Sequence, residues 1–244
     1  MKKIIAMLLA VIMVFALVAC TKEPAKNDDP ITDIHAKGEG VMTHAEYMAA
    51  EEMSDVTVEC FVQGNQSWWL DKDVNQGKIS VYAQDKDGAY FLYDMKCDEA
   101  DASKLVPGTK IKVTGIKQSW EGEVEIADAT FEILEGSYIA ETLDATALLG
   151  TDDLIKHQNE KVSFKGLTVT EVTYQGGQRG KDIYVTLSLN GADYDFCVES
   201  YLTGPDSDVY TTVEALKTGD VVDVEGFLYW YKGENTHITA ITVK

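Results

Sequence analysis

The chain has few cysteines and few basic residues, and both shortages limit what it can be. Only 4 of its 244 residues are cysteines, and one of them, Cys20, lies close to the N-terminus. The other three, Cys60, Cys97 and Cys197, cannot all pair with one another, so the sequence predicts no disulfide framework. Cys60 lies on an apolar strand face and is expected to be a small buried hydrophobic residue.

Basic residues are outnumbered by acidic ones, 21 against 41, which gives a net charge of −20 at pH 7. A strongly negative charge favours solubility, because like-charged molecules repel one another. It argues against polyanionic partners such as nucleic acid, since binding to phosphates depends on clustered lysine and arginine.

Motifs for catalysis or metal binding are also lacking. The four histidines are scattered and predict no zinc or nucleophile site: His35, His44, His157 and His237. The segment GGQRGK lacks the spacing of a phosphate-binding loop, and Asp85–Gly88 lacks the later ligands of a calcium loop. Glu121, Glu123 and Glu125 alternate along one strand and are expected to face solvent rather than form a glycosidase pair. We therefore predict a protein that is not an enzyme and that uses no cofactor or metal.

A long apolar run occurs only near the start of the chain. Ile4–Leu17 is shorter than the roughly 20 residues of a comfortable membrane span and follows Lys2 and Lys3, so it predicts a signal peptide. The run ends in Leu17-Val18-Ala19-Cys20, which resembles the lipobox of bacterial lipoproteins. The resemblance implies cleavage before Cys20 and attachment of a diacylglyceryl group to its sulfur, with fatty acyl chains such as palmitate. An ordinary secretory signal is the alternative.

These features predict an order of segments along the chain. Residues 1–19 are a lipoprotein signal peptide, and residues 20–40 are the lipidated cysteine and a flexible tether. The mature chain is expected to be lipid-anchored on the outer face of the cell membrane.

A stretch of the chain occurs twice. LVPGTKIKVTG, Leu105–Gly115, returns as LKTGDVVDVEG, Leu216–Gly226, at a constant offset of 111. The repeat belongs to a longer correspondence, in which each copy predicts a strand, a hairpin, a short helix and two further strands. Hairpin turns are expected at Asp85–Gly88 and at Asn190-Gly191, and Gly115 and Gly226 are expected where a long strand bends.

This pattern resembles the OB-fold, in particular the tRNA-anticodon-binding-like OB domains and the tandem OB-fold lipoproteins of Gram-positive bacteria. The resemblance implies an all-β fold with short helices: two tandem five-stranded OB-fold β-barrels, at residues 41–137 and 138–244. Two SH3-like barrels are the alternative, and the helix between the third and fourth strands favours the OB-fold.

The resemblance implies a ligand site on strands two and three and on the loops beside them. By alternation with Ile79, Val81, Phe91 and Tyr93, the outward positions include Tyr82, Tyr90 and Asp94 in the first copy, and Tyr184, Thr186, Ser188, Asp193 and Asp195 in the second. The predicted ligand-binding residues are aromatic: Trp68, Trp69, Tyr82, Tyr90, Trp120, Tyr174, Tyr184, Tyr229, Trp230 and Tyr231.

Two interpretations of these aromatic residues remain open. They stack on a ligand, or they plug the barrel mouths and pack one barrel on the other. Neither predicted face is basic, so the ligand is expected to be a glycan, a peptide or another envelope protein. We therefore predict a non-catalytic binding or scaffolding lipoprotein, with nucleic-acid binding as the alternative that the net charge disfavours.

Overall fold

The structure, a computed structural model, describes residues 33–244. The predicted signal peptide, the lipidation site Cys20 and the tether before residue 33 lie outside the described residues. Within residues 33–244, every helix is too short or too polar to cross a membrane. Residues 34–244 form one compact unit, in which two barrels follow one another along the chain.

The first barrel is built from the first copy of the repeat. Its elements are α1 (His44–Ala49), β1 (Asp55–Asn65), β2 (Trp69–Asp71), β3 (Gln76–Asp85), β4 (Gly88–Lys96), α2 (Glu99–Ala102), β5 (Thr109–Trp120) and β6 (Glu123–Ser137). Strand β1 pairs with both β3 and β5, and β6 pairs with β5 and, in parallel, with β4. This closed order, with a helix between the third and fourth barrel strands, is that of an OB-fold.

The second barrel repeats the plan. Its elements are β7 (Leu143–Asp144), three 3-10 helices (Thr146–Leu148, Leu154–His157 and Gln175–Gly177), β8 (Lys161–Tyr174), β9 (Ile183–Leu189), β10 (Ala192–Val198), α3 (Asp208–Glu214), β11 (Val221–Phe227) and β12 (Asn235–Val243). Strand β8 pairs with β9 and β11, and β12 pairs with β11 and, in parallel, with β10. The predicted all-β fold of two tandem OB barrels is confirmed.

The two repeated glycines lie where backbone approaches backbone. A Cβ atom on Gly115 would lie 2.7 Å from the carbonyl oxygen of Ala127, and one on Gly226 would lie 2.1 Å from that of His237. Both glycines lie at a register shift in the strand pairing, which is where a barrel strand bends. Only a residue without a side chain fits there, as the repeat predicts.

Each barrel has its own hydrophobic core. The first core includes Cys60, which is fully buried as predicted, and the second is centred on Phe164 and Phe196, whose rings meet edge to face. All three cysteines in the described part of the chain are buried and free, and burial raises the pKa of the Cys60 thiol. These thiols contribute packing rather than cross-links.

The chain begins to pack on the first barrel earlier than residue 41. The His35 ring lies edge-on to Phe61 and Tyr138, with centroid distances of 5.3 and 4.7 Å. Lys37 forms an ion pair with Asp85 and donates a hydrogen bond to the backbone. Residues 34–40, which the sequence assigns to the tether, therefore contact the barrel.

Candidate functional site

The outer face of the first barrel hairpin packs against the second barrel. The rings of Tyr82 on β3 and Phe227 on β11 stack at a centroid distance of 4.4 Å and an interplanar angle of 4°. The Tyr82 hydroxyl is hydrogen-bonded to Nδ1 of His237 at 2.5 Å, and Phe91 meets Tyr229 edge to face. The structure therefore places Tyr82 in the contact between barrels, which is the second of the two interpretations of the aromatic residues.

The predicted outward position of Tyr90 is wrong. Tyr90 pairs with Ala83 across the hairpin and belongs to the first hydrophobic core, whereas Phe91 and Tyr93 point away from it. From Tyr90 to Tyr93 the alternation is regular but has the opposite phase to the predicted one, and the phase changes only at the register shift near Asp94, which has a left-handed backbone with φ of 46°. An apolar residue such as Phe91 is tolerated on the outer face because the second barrel covers it.

The predicted solvent exposure of the three alternating glutamates is confirmed for Glu121 and wrong for Glu123 and Glu125. Glu121 is exposed, but Glu123 and Glu125 are buried where the second barrel covers the start of the strand. The Glu123 carboxylate accepts hydrogen bonds from Nδ2 of Asn159 at 2.6 Å and from the backbone N–H of Trp230 at 2.9 Å. Burial raises the pKa of Glu123 to about 8, although both hydrogen bonds lower it.

A groove of about 590 Å³ lies beside this contact, and its floor is the outer face of the second barrel. Strand register builds the floor in two rows, because paired residues in neighbouring strands share a face. Tyr184, Cys197 and His237 form one row across β9, β10 and β12. The second row is Thr186, Asp195 and Asn235. The groove therefore occupies the strand face that OB-folds use for ligands.

The walls of the groove come from both barrels. Phe91 and Tyr93 enter from β4 of the first barrel, and Tyr229 and Tyr231 enter from the segment after β11. The Tyr229 ring stacks on His237 with a centroid distance of 4.5 Å. Tyr93 and Tyr231 are 45% and 44% exposed, so their rings are available to a ligand.

The groove is negatively charged. Asp182, Asp195 and Glu199 line it, and its lining contains no lysine or arginine among residues 33–244. Burial raises the pKa of Glu199 to about 7, and the charge of Asp182 adds to that rise against the opposing effect of backbone hydrogen bonds. Burial also lowers the pKa of His237 to about 3, so this imidazole is neutral at pH 7.

The structure gathers only part of the predicted aromatic set into the groove, namely Tyr184, Tyr229 and Tyr231. Trp69 and Trp120 are exposed elsewhere, by 42% and 58%. The Nζ atom of Lys78 lies 5.1 Å from the centre of the Trp69 ring.

Three further predicted residues are held by other parts of the protein. The half-buried Trp68 donates its indole N–H to the carbonyl of Cys97 at 2.9 Å. Tyr174 donates to Glu214 at 2.9 Å, and the indole of Trp230 lies against Gly122 of the first barrel. These side chains have structural partners and lie outside the groove.

Sequence reasoning missed several groove residues. Tyr93 was missed because the predicted alternation places it on the inner face of its strand. Asp182 and Glu199 lie beside strand ends and belong to no recognisable motif. His237 could have been found, because Thr236 and Ile238 are core-facing neighbours on β12 and alternation places His237 on the outside. Within residues 33–244, no group of three or more histidine, cysteine, aspartate or glutamate side chains is arranged to hold a metal ion.

No protein-family model matches the chain, and neither does any curated protein. Solved structures of similar fold include a murine DNA-binding protein bound with double-stranded DNA, at 12% identity and a TM-score of 0.36, covering 77% of this chain and 94% of that one. The p204 HINb domain is 14% identical with a TM-score of 0.35, covering 80% of this chain and 100% of that one. A replication protein A heterotrimer bound to single-stranded DNA is 12% identical with a TM-score of 0.32, covering 78% of this chain and 49% of that one. At such low identity the likeness concerns the OB-fold alone.

Proposed function

We propose that the chain is a non-catalytic binding protein that takes its ligand in the groove between the barrels. The observation that carries this proposal is the unequal use of the two equivalent strand faces. The face around Tyr82 in the first barrel is covered, whereas the face around Tyr184 in the second is open and walled by tyrosines. The groove volume of about 590 Å³ lies within the range of small-molecule sites.

The charge of the groove favours a neutral or cationic ligand. Tyrosine rings offer flat apolar surfaces with a polar tip, which suit a glycan or a peptide side chain. Asp182 and Asp195 would repel an anion at this site. The lipobox-like Leu17–Cys20 supports a location on the outer face of the membrane, where such ligands and envelope proteins are found.

Nucleic acid is the second candidate, because the solved structures of this fold include proteins bound to DNA. Proteins that bind single strands combine aromatic platforms with a positive groove. Many basic side chains of this chain instead form ion pairs with its own carboxylates. Lys78 lies 2.8 Å from Asp71, and Lys165 lies 2.8 Å from Asp144. The charge distribution therefore favours the first candidate.

Titration calorimetry on the full chain tests the proposal. The probes are a chitin-type oligosaccharide, a short basic peptide and a single-stranded oligonucleotide, each at low and high salt. We expect the oligosaccharide or the peptide to bind, and Tyr184→Ala and Tyr231→Ala each to weaken that binding roughly tenfold.

Tyr201→Ala is the matched control, because Tyr201 is 61% exposed and lies outside the groove lining. The proposal fails if the groove variants bind like the wild type. Binding of the oligonucleotide alone, with steep weakening by salt, would establish the second candidate instead.

A further inference from the structure

We propose that the groove selects a small organic cation, an alkylammonium group held against the tyrosine rings and beside the groove carboxylates. This inference rests on the proposed function, because it assigns a ligand class to the same groove. It goes further by excluding neutral ligands of the same shape.

Within the part of the chain that the structure describes, the carboxylates of the groove have no cationic partner. Asp182 accepts hydrogen bonds from the backbone and hydroxyl of Ser200 at 2.9 and 2.8 Å. Glu199 accepts from the backbone N–H of Leu202 at 2.7 Å. Within residues 33–244, neither carboxylate, nor that of Asp195, forms an ion pair with a lysine or arginine. The negative charge of Asp182 and Asp195 is therefore left for a ligand to compensate.

The acidic groups in and beside the groove affect one another's pKa values. Burial raises the pKa of Glu199, and the charge of Asp182 adds to that rise. Burial raises the pKa of the neighbouring Glu234, and the charge of Asp195 adds to it. Burial is the larger cause of both shifts, and the added effect of Asp182 and Asp195 is a negative potential that a bound cation would relieve.

The aromatic walls add an attraction that is specific for cations. The faces of tyrosine rings carry a negative quadrupole potential, and pockets of several such rings recognise alkylammonium groups. Tyr93, Tyr184 and Tyr231 are 45%, 42% and 44% exposed along this groove. The Tyr231 ring already attracts one cation of the protein, because Nζ of Lys232 lies 5.2 Å from its centre.

The floor of the groove carries no positive charge, and one of its acceptor atoms has no partner within residues 33–244. His237 is neutral at pH 7, because burial lowers its pKa to about 3. Oδ1 of Asn235 is buried and accepts no hydrogen bond within residues 33–244. A volume of about 590 Å³ suits a small molecule better than a folded partner.

The decisive experiment compares ligands that differ in charge and hardly in shape. The full chain is titrated with choline and with its neutral carbon analogue, in which a tert-butyl group replaces the trimethylammonium group. Putrescine is added as a cation with N–H donors. We expect at least one of the two cations to bind and to exceed the neutral analogue by at least about tenfold in affinity.

Variants separate the charge of the groove from its shape. Asp195→Asn is expected to weaken cation binding roughly tenfold. Asp193→Asn is the matched control, because Asp193 lies on the same strand but outside the groove lining, and it should bind like the wild type. Unfolding curves that coincide for both variants would show that the folds are equally intact.

Two results would overturn the inference. The first is that neither cation exceeds the neutral analogue in affinity, or that the wild type and Asp195→Asn bind the cation equally well. The second is binding of a neutral oligosaccharide in the groove while neither cation binds, and in that case the proposed function survives without this ligand class. If no ligand responds to Tyr184→Ala and Tyr231→Ala, the proposed function fails as well.

Discussion

Replacing Glu123 by glutamine should stabilise the protein, and more so at high pH. Glu123 is fully buried between the barrels. A glutamine has the same shape and keeps an oxygen to accept the Trp230 backbone N–H. Its amide N–H group can donate to Oδ1 of Asn159 once that amide rotates, and this oxygen has no hydrogen-bond partner among residues 33–244. The substitution therefore removes the titrating group and keeps both hydrogen bonds of the site, to Asn159 and to Trp230.

The size of the effect follows from the raised pKa. Glu123 has a pKa of about 8 in the folded protein against 4.5 in the unfolded chain, so above pH 4.5 the unfolded state binds fewer protons. The protonated carboxyl contributes fully to the free energy of unfolding below pH 4.5, and this contribution is lost as the pH rises towards 8. At pH 7 the loss is on the order of 3 kcal/mol, from 1.4 kcal/mol for each pH unit above the unfolded pKa. Glu123→Gln has no such loss.

Urea unfolding at several pH values tests this reasoning. The wild type and Glu123→Gln should have similar free energies of unfolding near pH 4.5, and the variant should exceed the wild type by about 3 kcal/mol at pH 7. Glu121→Gln is the control, because Glu121 is exposed on the same hairpin, and its curve should follow the wild type. Parallel curves for the wild type and Glu123→Gln would refute the argument that burial holds this carboxyl protonated.

Further predictions concern the contact between the barrels and the cores. Gly226→Ala should lower the free energy of unfolding by roughly 2 to 4 kcal/mol, because the new Cβ atom would lie 2.1 Å from the His237 carbonyl oxygen. Gly233→Ala is the control and should be tolerated, because a Cβ atom at that position has no neighbour within 4 Å. Urea unfolding measures both variants. Tyr82→Phe leaves Nδ1 of His237 without its partner and should lower the free energy of unfolding by about 1 to 2 kcal/mol. An unchanged free energy of unfolding would contradict the role of this hydrogen bond. The His237 imidazole should stay neutral in NMR titrations well below pH 6.5, and titration near that value would disprove its burial.

Most of the fold could be predicted because its determinants are local. Strand alternation and turn residues identify each barrel strand, and Asn190-Gly191 forms its turn with φ of 55° and 85°. The short helix that the repeat predicts between the third and fourth strands of the second copy is Asp208–Glu214. Ser207 caps it by accepting a hydrogen bond from the backbone of Tyr210, and this capping signal was present in the sequence.

The candidate site was only partly predictable, because the contact between the barrels decides it. Tyr184 and Tyr231 could be recognised from strand alternation and loop position. Burial of Glu123 and covering of Phe91 depend on the second barrel, which local periodicity does not report. Alternation places His237 on the outside of β12, but its position beside Cys197 in the groove depends on the parallel pairing of β12 with β10, a contact between distant parts of the chain.

Stacking of Tyr82 on Phe227 has a consequence for valency. A tandem repeat of binding domains would ordinarily hold two ligands and gain avidity from doing so. In this protein the strand face of the first barrel is covered by the second barrel, so the chain should bind one ligand per molecule. It could not bridge two ligands by itself, and multivalent contact would require several chains side by side.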